Sequence, residues 1–154
     1  MHLTLTVNGE QHEVLAPATA TLLDVLRNQL GMTGSKRGCN HGVCGACTVL
    51  LEGKLARSCL ALAVDVGERP VTTIEGIGHG GQLSAVQRGL IESGAIQCGF
   101  CTPGFVMALT DLFARDPRPG RDAIRAALSG NLCRCSGYVK IVEAAEGLAR
   151  GTHE

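Results

Sequence analysis

Eight cysteines, in two blocks of four, are the residues of this chain best suited to chemistry. The first block reads Cys39-x4-Cys44-x2-Cys47, followed by Cys59. That is the plant-type spacing for a two-iron, two-sulfide (2Fe–2S) cluster. The second block reads Cys98-x2-Cys101, then Cys133-x-Cys135. Four thiolates per cluster and two clusters leave no cysteine over, as expected of a chain that carries electrons one at a time. Disulfides are one rival, but the opening Met1-His2-Leu3-Thr4 shows no secretory leader, and close cysteine pairs look like ligands. Zinc is the stronger rival, because CxxC pairs commonly hold it. In the first block three thiols share one tight loop with Gly38, Gly42 and Gly45. Glycines there let backbone N–H groups approach anionic sulfides, which favours iron–sulfur. Taken alone, the CxxC…CxC spacing of the second block suits zinc about as well.

The elements that must position these thiols divide near residue 76, into 1–76 and 77–154. His2 to Val7 reads as a strand with Leu3, Leu5 and Val7 on one face. Asn8-Gly9 is a hairpin signal, with Gln11 to Leu15 returning. Thr21 and Asp24 form a variant capping box for a helix over 22–30, apolar at Leu22, Val25, Leu26 and Leu30 and ended by Gly31. Strands follow at 48–51, 55–57 and 71–74, the first two joined through Glu52-Gly53-Lys54. This is an α+β half. Gly76, Gly78, Gly80 and Gly81 read as a flexible seam that few contacts cross. The second half is helical: 84–92, a helix opened by Pro103 with Phe105, Leu109, Leu112 and Phe113 inside, then 121–128 and 139–149. Ile141, Val142, Ala145 and Leu148 line the inner face of the last. Both cysteine pairs of the second block precede a helix start. Helix N-termini carry free N–H donors and a positive dipole end, which suits an anionic thiolate-held cluster. That symmetry moves the second block from zinc to a second 2Fe–2S cluster.

Composition narrows the function. Net charge is +0, from 14 basic and 14 acidic residues, so nothing calls for nucleic acid or an anionic membrane. Aromatics are 3% and Trp is absent, leaving a core of small aliphatic residues that cluster binding would help to stabilise. Apolar runs are too short for a membrane span, and unpaired thiols suit a reducing, cytoplasmic setting. Gly76-x-Gly78-x-Gly80-Gly81 lacks dinucleotide spacing, so flavin or nicotinamide is not expected on this chain. No nucleophile–base constellation stands out, so no catalytic residue is assigned. His41, inside the cysteine loop, reads as a polar neighbour and not a ligand. Arg134, between two thiolates, either raises a cluster potential or pairs with a carboxylate. His2, His12, His79 and His153 read as solvated.

Three strings carry a resemblance: Gly38-Cys39-Asn40-His41-Gly42-Val43-Cys44-Gly45-Ala46-Cys47-Thr48, Gln97-Cys98-Gly99-Phe100-Cys101-Thr102-Pro103-Gly104, and Gly130-Asn131-Leu132-Cys133-Arg134-Cys135-Ser136-Gly137-Tyr138. In that order they resemble the iron–sulfur subunit of the molybdenum hydroxylases, the family of xanthine dehydrogenase, aldehyde oxidoreductase and aerobic carbon monoxide dehydrogenase. The resemblance covers about residues 2–150. It implies a β-grasp, ferredoxin-like first domain and a four-helix second domain. It implies a large partner subunit where substrate is oxidised at a molybdopterin-bound molybdenum, with water supplying the oxygen in most members. The cluster on Cys98, Cys101, Cys133 and Cys135 is then nearer the molybdenum, with Gln97 and Cys135 against the molybdopterin. Electrons pass on to the cluster on Cys39, Cys44, Cys47 and Cys59, and out to an FAD subunit, a cytochrome or another acceptor. A stand-alone ferredoxin-like carrier is an alternative, though soluble carriers are usually acidic and this chain is neutral, with mean hydropathy +0.17. A zinc-stapled interaction module is the other.

Overall fold

Two-residue turns set up the first half. Asn8 and Gly9 take positive φ, 52° and 85°. Val7 pairs with Glu10, so only those two residues connect β1 (His2–Val7) to β2 (Glu10–Leu15). Positive φ at both positions matches the twist of an antiparallel pair. Glu52 and Gly53 repeat the device, at 52° and 74°, between β3 (Thr48–Leu51) and β4 (Lys54–Arg57). The computed structural model describes residues 1–78 and 80–151, so His79 and His153 lie outside the described residues.

β5 (Val71–Thr72) closes the sheet, parallel to β1 and antiparallel to β3. The strand order is β2-β1-β5-β3-β4. α1 (Leu22–Asn28) lies across it and carries the expected capping box: Thr21 Oγ1 accepts from the Asp24 N–H, and Asp24 accepts from the Thr21 N–H. Leu5, Val7 and Val14 from the sheet meet Leu22, Val25 and Leu26 from the helix in one buried core. This is the ferredoxin-like β-grasp, in an α+β chain.

Several bounds differ from the sequence expectations. α1 stops at Asn28, although Leu30 still packs on the core. The last strand stops at Thr72, because Ile74 opens a 3₁₀ turn (Ile74–Gly76) and packs against the second core. A four-residue helix, α2 (Ala63–Val66), was not anticipated. It has no side-chain cap and is held by burial of Ala63 and Val66. His12 is not solvated: its Nε2 is buried with no hydrogen-bond partner.

The second half holds α3 (Ala85–Glu92), α4 (Thr102–Arg115), α5 (Arg121–Leu128) and α6 (Val139–Ala149). Ser84 and Gln87 cap α3 reciprocally. α4 is buried almost all round, from Gly104 to Leu109, and not along one stripe. It packs against α3 and α5 on one side and against β3 and β4 on the other. α4 is therefore the strut shared by both halves.

The glycine seam is not slack where it begins. Asn8 donates to Thr73 Oγ1 and accepts from the Thr73 N–H, at 3.0 and 2.9 Å, and its side chain fills the space where a Gly76 Cβ would stand. Contacts between the halves also exceed what a tether would give. Asn131 Nδ2 donates to the Gly45 carbonyl at 3.0 Å, and the Leu132 N–H donates to the Cys44 carbonyl at 2.9 Å. Among the described residues no helix is long and apolar enough to cross a membrane.

Candidate metal centres

The first four thiols hang on a loop between α1 and β3 and on the segment after β4. All eight cysteines are free. Cys47 and Cys59 are buried, packed with Leu23 of α1. That packing is locked by backbone: the Leu23 N–H donates to the Ser58 carbonyl at 3.0 Å, and Ser58 Oγ donates to the Cys47 carbonyl at 2.7 Å. Cys39 sits at the rim, where the N–H groups of His41 and Cys44 both donate to its Sγ at 3.3 Å. A Cβ at Gly38 would stand 2.8 Å from Cys44 Sγ, so the loop closes this tightly only with glycine there. Asn40 takes a left-handed φ of 59° beside Cys39, and Arg37 Nη1 holds its side chain at 2.7 Å.

The second four thiols meet from two directions. Cys101 is the residue before α4, and Cys133 and Cys135 lie just ahead of α6. Cys98 and Cys135 are exposed, their sulfurs 3.5 Å apart. Ser136 donates to Cys133 Sγ from its hydroxyl at 3.1 Å and from its N–H at 3.3 Å. Tyr138 spans the loop: its hydroxyl accepts from the Cys133 N–H and donates to the Asn131 carbonyl, both at 3.0 Å. The Tyr138 ring meets Phe105 edge-on, centroids 5.9 Å apart, which ties the loop to the helical core.

Each set interacts through its own sulfurs. Burial, then Cys47, pushes the Cys59 thiol up to about 11, and the N–H groups of Cys44 and His41 bring Cys39 down to about 6. In the second set burial, then Cys133, raises Cys101 to about 12. Burial also opposes ionisation of Cys133, but the Ser136 hydroxyl and N–H, with the Cys135 N–H and Cys101, together outweigh it and bring the thiol to about 7. Metal binding takes the protons of all the thiols of a set. Among the described residues no three His, Cys, Asp or Glu side chains close on a single-ion site. Four-thiol sets with aimed N–H groups and a glycine cradle fit an anionic inorganic cluster.

The structure thus brings together both cysteine sets that the spacing picked out. His41 is exposed and contributes its N–H, not its ring, to Cys39. Arg134 is exposed and pairs with no carboxylate among the described residues. Gln97 is exposed, and among the described residues its side chain has no partner. Sequence reasoning missed Arg57, which joins the two loops. Its only sequence signal was a cation two residues before a candidate ligand.

Fold and site together define an electron carrier of the 2Fe–2S class. Residues 5–70 match the family model described as a 2Fe-2S iron-sulfur cluster binding domain, and residues 73–146 match the [2Fe-2S] binding domain model. The nicotine 6-hydroxylase small subunit of Paenarthrobacter nicotinovorans is 47% identical over 144 residues, covering 94% of this chain and 87% of the relative. The nicotinate dehydrogenase small FeS subunit of Eubacterium barkeri is 42% identical over 139 residues, covering 90% and 88%. The crystal structure of quinoline 2-oxidoreductase from Pseudomonas putida 86 contains a chain that superposes with a TM-score of 0.91 at 41% identity, covering 98% of this chain and 97% of that one. The chain belongs to the iron–sulfur small subunits of the molybdenum hydroxylases. Its role is electron transfer through two 2Fe–2S clusters, as a subunit of an oxidoreductase complex.

Proposed function

We propose that Cys98, Cys101, Cys133 and Cys135 hold the cluster that receives electrons from a molybdopterin-bound molybdenum on a large partner subunit. Cys39, Cys44, Cys47 and Cys59 hold the cluster from which electrons leave, to an FAD subunit, a cytochrome or another acceptor in the cytoplasm. The two ligand sets belong to domains 1–76 and 77–154. The observation that carries this reading is the unequal exposure of the two sets. Cys98 and Cys135 reach the surface, and Phe100 (45%), Leu132 (51%) and Val139 (56%), each within four residues of a cysteine of this set, are exposed apolar side chains, whereas Cys47 and Cys59 are under 6% exposed. A surface thiol pair with exposed apolar residues beside it in the chain is what a docked partner would cover. Gln97, next to Cys98 and without a side-chain partner among the described residues, adds an amide able to donate and accept toward a pterin.

When bound, 2Fe–2S clusters supply one-electron redox chemistry. The chain's residues do the rest. Leu23, Cys47 and Cys59 exclude water from one side of the first site. N–H groups of His41, Cys44 and Ser136, with the Ser136 hydroxyl, stabilise negative sulfur.

Metal analysis of the purified chain tests the reading. About four irons and four acid-labile sulfides per chain are expected, two sets of two, with zinc at background. Stoichiometric zinc without sulfide would end the iron–sulfur assignment. Gln97→Ala tests the partner face: substrate-driven bleaching in the assembled complex should slow while reduction by dithionite stays unchanged. Unaltered substrate-driven bleaching would make Gln97 a loop residue only.

A further inference from the structure

The two cysteine loops share one cation. Arg57 ends β4, two residues before Cys59, and its three nitrogens donate to the first cysteine loop, to the first residue of β3 and to the second loop. Nε donates to the Gly42 carbonyl at 3.2 Å, Nη1 to Thr48 Oγ1, and Nη2 to the Gly130 carbonyl at 2.6 Å. Gly42 lies between Cys39 and Cys44, and Gly130 opens the run to Cys133. The fit is close: a Cβ at Gly130 would stand 2.7 Å from Nη2. Thr48 extends the contact, since its hydroxyl donates to the Gly45 carbonyl that also accepts from Asn131. Beside this clamp lies the hydrogen bond from the Leu132 N–H to the Cys44 carbonyl, which joins a candidate ligand to the neighbour of another.

Arg57 is half-buried, and among the described residues it pairs with no carboxylate. Its partners are carbonyls and a hydroxyl, so its charge stays whole beside both sets. A reduced site carries one more negative charge than an oxidised one. An unneutralised cation hydrogen-bonded to both cysteine loops therefore favours reduction.

We infer that Arg57 is a positioning residue for electron transfer between the two sites: its planar fork fixes their spacing and its charge raises their potentials. The inference rests on the ligand assignment proposed above. One electron moves, one site being oxidised as the other is reduced, with no bond made or broken and no proton transferred.

The full chain, loaded with iron and sulfide, is compared as wild type, Arg57→Lys and Arg57→Met by redox titration followed by electron paramagnetic resonance. Lysine keeps the charge without the fork, and methionine keeps bulk without charge. In Arg57→Met the oxidised-to-reduced ratio of the first site, read at the wild-type midpoint, should rise about tenfold, equal to about 59 mV for a one-electron couple. The magnetic splitting between the two reduced sites should weaken, because dipolar coupling falls with the cube of distance. Arg57→Lys should keep the potential and still lose splitting. Unchanged potential and splitting in Arg57→Met, with both signals intact, overturn the inference. A Lys variant with the methionine variant's potential overturns the role of charge. If Arg57→Met takes up no clusters, unchanged splitting in Arg57→Lys overturns the clamp. Failure of the ligand assignment looks different: wild type without two 2Fe–2S signals, or cysteine-to-serine variants that keep both.

Discussion

Replacing Gly104 by alanine sets two effects of opposite sign against each other. Gly104 lies in the first turn of α4, where φ is ordinary. Helix propensity alone favours alanine by up to about 1 kcal/mol. Packing opposes it, because a Cβ would fall on the Gly45 carbonyl oxygen and stand 2.7 Å from Asn131 Nδ2. The first of these is backbone inside the cysteine loop and cannot swing aside. Overpacking of this kind costs about 1–3 kcal/mol. If the halves separate to relieve it, the Asn131–Gly45 and Leu132–Cys44 hydrogen bonds weaken, at about 1 kcal/mol each. Packing wins, with a net loss of about 2–4 kcal/mol at the junction once about 1 kcal/mol of propensity is subtracted. Urea unfolding of the loaded chain measures the loss, and amide exchange at Leu132 locates it. A variant about 1 kcal/mol more stable than wild type, with the Leu132 amide still protected, would refute the close-approach reasoning and leave propensity alone.

Three further outcomes are expected. Cys44→Ser should remove one cluster signal and about half the iron, leaving the other signal recognisable, since the four thiols of each set interact among themselves; losing both in a folded chain would count against two separate sites. Asp24→Asn should destabilise the chain by about 1 kcal/mol at neutral pH, through the α1 dipole and the Arg37 pair. The Thr21 hydroxyl, then its N–H and Arg37, hold the Asp24 carboxyl below its ordinary 3.8. Its contribution is therefore present above that value and lost as pH falls through the lowered one, so acid titrations of wild type and variant should converge; a gap that persists in acid would contradict the ion-pair origin. Tyr138→Phe keeps the edge-on contact with Phe105 but strands the Cys133 N–H and the Asn131 carbonyl. A loss of about 1–3 kcal/mol, with faster release of the second cluster, is expected in thermal melts monitored at visible wavelengths.

Local signals reached far in this chain. Asn8-Gly9, the Thr21–Asp24 box and Pro103 each act within a few residues, and each holds where the sequence put it. The grouping of the cysteines into two sets was equally legible, because the pairs that make up each set lie on short loops. What failed depended on distant neighbours. α2 exists because Ala63 and Val66 find a buried place, which no cap announced. Ile74 leaves the strand for a core on the other side of the seam. His12 reads as polar until β2 turns its Nε2 inward. The all-round burial of α4 and the reach of Arg57 to Gly130 are facts about how the halves meet, across 73 residues of chain. Pattern within either half does not encode that meeting.

The burial of Cys47 and Cys59 against Leu23 has a consequence for the order of assembly. Iron and sulfide reach buried sulfurs more slowly than exposed ones, and only Cys39 and Cys44 of this set are even partly exposed. The Cys98 and Cys135 pair stays open to solvent until something covers it. Once the chain is folded, the Cys39 set should therefore fill more slowly than the Cys98 set. Adding limiting iron and sulfide to folded, metal-free chain should fill the Cys98 set first; preferential filling of the Cys39 set would show that the buried site has a route in.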